Sequence, residues 1–134
     1  MRPNWLCLLM GGLMLLPAAH AALAQTPATV LGTWTGKVAQ NKGSSGYSVV
    51  MTVAADSVVT DYPELKCSGK LTQVGSAEGY VFFTESITRG GKKSGGSCID
   101  GTITVAPAGD RLVWGWVGAF SGETYVAWGT LKRK

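Results

Sequence analysis

Residues 111–132 read RLVWGWVGAFSGETYVAWGTLK. Valine, tryptophan, tyrosine and phenylalanine favour β-strands, and here they fall into two runs, Arg111 to Ala119 and Glu123 to Lys132. Between the runs stands Ser121-Gly122, a dipeptide typical of tight turns. The stretch therefore predicts a β-hairpin.

The same alternation of strand-forming runs and turns extends from Val30 to the end of the chain. Gly-, Asn- and Pro-containing breaks recur about every 10 to 15 residues, as in sandwiches and barrels, and no segment has a helical apolar period. Short connections of this kind favour antiparallel neighbours. We therefore predict an all-β fold, a small antiparallel meander of seven or eight strands that closes into a β-barrel. The other strand candidates are Leu31 to Ala39, Tyr47 to Ala55, Leu65 to Val74, Gly79 to Thr88 and Ser97 to Val105.

The first 24 residues predict an export signal. Arg2 provides a basic start, an apolar run extends over 11 residues from Leu6 to Leu16, and small residues lead to Ala24. The apolar run is shorter than the roughly 20 residues that span a bilayer, so we do not expect a membrane-spanning protein. Cleavage before Gln25 would leave residues 25–134 as one domain in the periplasm or the medium.

The composition of this predicted mature chain excludes several function classes. The one histidine of the sequence, His20, lies in the signal, which removes Ser-His-Asp and Cys-His catalysis and histidine-ligated metal sites. Without Arg2, 11 basic and 8 acidic side chains give a net charge of +3, too small to indicate nucleic-acid binding. We predict a protein that is not an enzyme and needs no metal or cofactor.

Cys67 and Cys98 remain once Cys7 is removed with the signal. A pair of cysteines in an exported protein predicts a disulfide. The alternative, two redox-active free thiols, lacks the C-x-x-C spacing of such sites.

Glu85 and Asp100 are a candidate carboxylate pair. If Thr88 pairs with Ser97, the register places Glu85 opposite Asp100 on the neighbouring strand. Facing carboxylates imply a raised pKa, a bound cation or a basic group between them, and they could also serve as the acid and base of a glycosidase. In the alternative interpretation Glu85 pairs with Arg89 or a lysine near the barrel mouth, because a long loop does not fix the register.

Three tryptophans form a candidate ligand-binding face. If Trp116 faces Thr124, then Trp114 and Trp128 lie on the same side of the hairpin. Such rings suit stacking on a sugar or an apolar ligand. The alternative is that they form the core, since a small barrel needs large side chains to fill it.

The loop RGGKKSGG, residues 89–96, carries Arg89, Lys92 and Lys93 on a glycine-rich frame. It could hold phosphate, an acidic cell-wall polymer or anionic lipid headgroups. The alternative is a solvated loop whose charges serve solubility.

Gly32-Thr33-Trp34 resembles the G-x-W opening of lipocalin-type and avidin-type barrels, in which the tryptophan closes one barrel end. A longer resemblance is to a small β module of unassigned role, found in bacterial exported proteins and after the kinase domain of some bacterial serine/threonine kinases. It implies a disulfide-bearing extracytoplasmic sensing or binding module and transfers no catalytic residue. The residues that carry it are Tyr62 to Leu71, Glu85 to Gly90, Cys98 and Leu112 to Trp116.

Ser121-Gly122, Tyr125 and Trp128-Gly129 are similar to a segment of periplasmic inhibitors of c-type lysozyme. That similarity implies inhibition of a basic enzyme, for which a net charge of +3 is poorly suited.

Together these observations predict an exported, non-enzymatic binding module of the cell envelope. Its expected ligand is a glycan, an anionic group or a small apolar molecule, and its expected partner is an envelope component or a secreted protein. Two alternatives remain open: an inhibitor of a host or competitor hydrolase, and an envelope glycan hydrolase that uses Glu85 and Asp100.

Overall fold

The computed structural model describes residues 26–43 and 46–134, and the predicted export signal with its cleavage site lies outside them. Eight antiparallel strands pair in chain order, and the last returns to the first to close a barrel. The predicted all-β barrel is confirmed, with the eight-stranded alternative. The strands are β1 (Gly32–Gln40), β2 (Tyr47–Val53), β3 (Val58–Tyr62), β4 (Cys67–Ala77), β5 (Tyr80–Arg89), β6 (Gly101–Ala108), β7 (Arg111–Phe120) and β8 (Glu123–Arg133).

Three parts of the predicted strand pattern were wrong. No candidate covered β3, whose five residues leave little room for an alternation to appear. The candidate Leu65 to Val74 began too early, because Pro63–Leu65 forms a 3-10 turn and Lys66 is left-handed at φ 54°. The candidate Ser97 to Val105 also began too early, since the strand starts at Gly101.

Side chains that point into the barrel form its core, and one end of that core is sealed. Trp34 is buried there, and its indole N–H donates to the carbonyl of Val30 at 2.9 Å. The Arg133 guanidinium lies 4.2 Å from the centre of the Trp34 ring and donates at 2.6 Å to the carbonyl of Leu31. The chain leading into β1 is thereby fixed across the barrel end.

The predicted disulfide between Cys67 and Cys98 is present. It joins the start of β4 to the long connection between β5 and β6. Backbone hydrogen bonds from Lys92 to the Cys98 carbonyl at 2.9 Å, and from Cys98 to the Gly90 carbonyl at 3.1 Å, fold that connection back on itself. It therefore packs at the end of the barrel opposite Trp34.

None of the helical turns in the described ranges has the length and apolar character needed to cross a membrane.

Candidate ligand site at the open end of the barrel

A cavity of about 310 Å³ opens at the barrel end opposite Trp34. Its walls are mainly aromatic and aliphatic, with a few polar groups. The aromatic residues are Tyr47, Tyr62, Trp116 and Tyr125; the aliphatic ones are Leu65, Ile87 and Ile99; Gln40, Glu85, Lys92, Ser97 and Cys98 complete the lining.

Glu85 on β5 is the buried acidic group of this cavity, with 2% of its surface exposed. Its Oε1 accepts hydrogen bonds from the Tyr62 hydroxyl at 2.7 Å and from the Thr60 hydroxyl. Its Oε2 accepts a hydrogen bond from the Trp116 indole N–H at 2.8 Å. The carboxylate is thus held by side chains from β3 and β7, on both sides of the barrel interior.

Glycines on the inner face make room for this network. A Cβ at Gly69 would lie 2.6 Å from Glu85 Oε1 and 2.8 Å from the Thr60 hydroxyl oxygen. A Cβ at Gly101 would lie 2.6 Å from the Trp116 ring, and one at Gly118 would also collide with that ring. These positions must stay without side chains for the carboxylate and the indole to meet.

The protonation states of the buried groups follow from their surroundings. Burial raises the pKa of Glu85, and the hydrogen bonds from Thr60, Tyr62 and Trp116 oppose that rise. Burial, together with the nearby Glu85 charge, raises the pKa of Tyr47 to about 12 and that of Tyr62 well above its ordinary value. Both tyrosines therefore remain neutral at physiological pH.

The raised pKa of Glu85 predicts a pH dependence of stability. Above the ordinary value of 4.5, the folded state holds the Glu85 proton more tightly than the unfolded state. The free energy of unfolding should therefore fall, relative to a Glu85→Gln variant, as the pH rises from 4.5 through the folded pKa. Urea unfolding of both proteins between pH 4 and pH 8 measures this difference.

Two exposed carboxyls change the free energy of unfolding with pH in the opposite direction. Hydrogen bonds from Ser48 lower the pKa of Glu64, and Lys42 lowers that of Glu123, so their contributions are lost on acidification below 4.5. They are present in both proteins and cancel in the difference. The raised pKa of Glu85 would be contradicted if the stability of the unmodified protein, relative to Glu85→Gln, stayed constant or increased as the pH rises.

The predicted pairing of Glu85 with Asp100 was wrong. Glu85 lies opposite Gly101, one residue away from the predicted register, because the folded-back connection shifts the start of β6. Asp100 is exposed, and its carboxylate accepts a hydrogen bond from the backbone N–H of Ile87 at 2.8 Å. It lines a second depression of about 260 Å³, the outer depression, which adjoins the cavity along Ile87, Lys92, Cys98 and Ile99.

The alternative prediction, an ion pair of Glu85 with Arg89 or a lysine, was also wrong. Arg89 instead pairs with Asp61, with 3.0 Å between nitrogen and oxygen. In the described part of the chain, Glu85 makes no ion pair with a basic side chain.

The predicted common face of the three tryptophans was wrong. The turn between β7 and β8 is the two-residue Ser121-Gly122, so Trp128 lies opposite Gly115 and not opposite Leu112. An odd shift of register exchanges the two faces of a strand. Trp114 therefore packs in the core, Trp116 lines the cavity, and Trp128 lies outside with 51% of its surface exposed.

Lys92 and Lys93 of the 89–96 loop both line the outer depression, whereas Arg89 does not. Arg89 is held by Asp61, whereas the Lys92 ammonium lies 4.5 Å from the centre of the Phe120 ring, at the rim of the cavity. Lys93 is exposed and lines only the outer depression.

Several residues of the cavity were missed by the sequence reasoning. Tyr47 could have been found, because the alternation in YSVVMTV places it on the inner face of β2 with Val49 and Met51. Thr60 and Tyr62 lie on the strand that was not predicted. Tyr125 could also have been found, because it alternates with Ala127 on the inner face of β8.

Among the described residues, no three histidine, cysteine, aspartate or glutamate side chains are grouped to hold a metal ion. Comparison of the chain with protein-family models, curated proteins and solved structures found no match.

Proposed function

We propose that this is an exported, non-enzymatic binding protein that takes a small, largely apolar ligand into the open end of its barrel. The observation that carries the proposal is the aromatic cavity of about 310 Å³. Ligand pockets begin at about 300 Å³ and are lined mostly by apolar and aromatic side chains with few polar groups. A cavity of about 150 Å³ already holds a benzene ring, so one or two rings fit here.

The placement of the carboxylates supports binding over glycan hydrolysis. A glycosidase needs two carboxyl groups that flank one scissile bond. Glu85 lies in the cavity, whereas Asp100 is exposed in the outer depression. The described lining of the cavity offers Glu85 no second carboxylate as a partner.

The disulfide supports the exported location, because such bonds persist in the periplasm and outside the cell. The protein would accordingly bind its ligand in the envelope or in the medium. In the described part of the chain, Trp34 covers one end of the barrel, and the cavity opens at the opposite end.

A bulky side chain at the entrance of the cavity tests whether the cavity binds a ligand. Ser97 is exposed and lines the entrance, so a Ser97→Trp variant should fill the mouth without disturbing the core. We expect it to weaken binding of benzyl alcohol at least about tenfold, a loss of roughly 1.4 kcal/mol. Titration followed by NMR measures the affinity.

The matched control is Ser76→Trp. Ser76 is exposed on β4 at the sealed end of the barrel, so this variant adds the same ring far from the cavity and should bind like the unmodified protein. Equal binding by the two variants would overturn the proposed function, as would a failure of both benzyl alcohol and benzyltrimethylammonium to bind the unmodified protein.

A further inference from the structure

We propose that the cavity selects a small organic cation, an amine or quaternary ammonium with a short apolar body, and that Glu85 is its counter-ion. This inference rests on the proposed function, since it names the class of ligand that the same cavity takes.

Glu85 has an unused capacity to accept a hydrogen bond. A carboxylate can accept about four hydrogen bonds. Oε1 receives two, from Thr60 and Tyr62, and Oε2 receives one, from Trp116. Oε2 therefore retains an acceptor position, and Glu85 lines the cavity.

No basic side chain among the described residues forms an ion pair with this carboxylate. All three of its donors are neutral groups. Burying a charge without a partner is costly, whereas pairing it offsets much of the desolvation. A cationic ligand supplies the missing charge, but a neutral or anionic one does not.

The aromatic walls of the cavity suit a cation. Tyr47, Tyr62, Trp116 and Tyr125 line the same cavity, and aromatic ring faces attract ammonium groups. The rings of Tyr47 and Tyr62 lie 5.9 Å apart at 77°, so they present surfaces in two directions. Such arrangements are used to recognise quaternary ammonium groups.

Two other charged groups lie near the site. The Lys92 ammonium at the rim is drawn toward the Phe120 ring, which lines the outer depression and not the cavity. Asp100 adds negative potential, since its charge contributes to raising the pKa of Glu85. Both the buried carboxylate and its nearest acidic neighbour thus disfavour an anionic ligand.

A pair of probes tests the proposal. Benzyltrimethylammonium and benzyl alcohol share the aromatic ring and differ in charge. We expect the ammonium to bind at least about tenfold more tightly at pH 7, and we expect Glu85→Gln to abolish this preference, so that the ammonium binds that variant no more tightly than benzyl alcohol does. A preference that survives in Glu85→Gln, or an alcohol that binds as tightly as the ammonium, would overturn the proposal.

A pH series on the unmodified protein keeps the test independent of how well the variant folds. The charge of benzyltrimethylammonium does not titrate, and Tyr47 and Tyr62 stay neutral below pH 10 because their pKa values are raised. Its affinity should weaken at least about tenfold as acid protonates Glu85. An affinity of the unmodified protein that is constant from pH 8 to pH 4 would contradict the counter-ion role.

The outcomes separate this inference from the proposed function. If benzyl alcohol binds and Ser97→Trp blocks it, but the ammonium gains nothing, the cavity is a binding site and the cation proposal fails. If neither probe binds, both fail.

Discussion

Truncation of Trp34 to alanine should lower the free energy of unfolding by about 3 to 5 kcal/mol, the range for removing a buried aromatic side chain. Trp34 is buried at the sealed end of the barrel, where its N–H donates to Val30 and its ring packs under the Arg133 guanidinium. The truncation leaves a cavity and removes the surface on which the chain entering β1 rests. Urea denaturation followed by circular dichroism measures the change.

Two further variants separate the causes of this effect. Trp34→Phe keeps most of the ring but leaves the Val30 carbonyl without its donor, and should cost about 1 to 3 kcal/mol. Trp128→Ala removes the same side chain from the exposed outer face and should change stability by less than about 0.5 kcal/mol. If Trp34→Ala cost no more than Trp128→Ala, the sealed end would not contribute to folding as described.

Removal of the disulfide should have the second largest effect. Replacing both Cys67 and Cys98 by alanine opens a loop of 31 residues, for which chain entropy gives a loss of about 3 to 4 kcal/mol. Alanine is the better replacement because Cys67 is fully buried, and a serine hydroxyl there would add its own cost. Urea denaturation of the variant and of the unmodified protein measures the loss.

The same variant should also loosen the cavity wall. Ser97, Cys98 and Ile99 line the cavity and belong to the connection that the disulfide fastens to β4. We therefore expect weaker binding of benzyl alcohol in the variant under conditions where it remains folded. The reduced unmodified protein is the control and should match the variant in stability. A loss below about 1 kcal/mol would show that packing, and not the crosslink, holds this connection, since crosslinks typically contribute 2 to 4.

The fold was predictable because its signals are local. Turn dipeptides such as Ser121-Gly122 and the alternation of inner and outer residues act over a few positions, and the composition left no competing helical pattern. Short antiparallel connections then favour a closed meander. The strand that escaped prediction, β3, is also the shortest of the eight described, so its alternation had few residues in which to appear.

The candidate site was less predictable because it depends on register. Glu85 was identified as an unusual carboxylate, but its partners were not, since the connection from β5 to β6 is folded back and held by a disulfide. A shift of one residue there replaced Asp100 with Gly101 opposite Glu85. The observed register of the last hairpin differs from the predicted one by an odd number of residues, so Trp128 lies on the outer face and not on the inner one.

The cavity itself depends on side chains from distant parts of the chain. Tyr62, Glu85 and Trp116 meet only because strands β3, β5 and β7 face one another across the barrel, and because glycines such as Gly69 leave space between them. The alternation in the sequence predicts which face of a strand a residue lies on, but not its position along the barrel axis. A site built from three non-adjacent strands therefore needed the structure.

The tryptophan side chains allow the central claim to be tested in one experiment. The predicted mature chain carries four, and their indole N–H groups lie in different surroundings: Trp34 at the sealed end, Trp114 in the core, Trp116 in the cavity and Trp128 on the outer face. Each gives a separate NMR resonance once assigned by substitution with phenylalanine.

Titration of the protein with benzyltrimethylammonium, followed through these four resonances, is the most direct test. The Trp116 indole N–H donates to Glu85 inside the cavity, so its resonance should shift progressively and saturate. The resonances of Trp34 and Trp128 should stay in place. A saturable shift of Trp128 with Trp116 unmoved would place binding on the outer face, and four unchanged resonances would contradict a ligand site at the open end of the barrel.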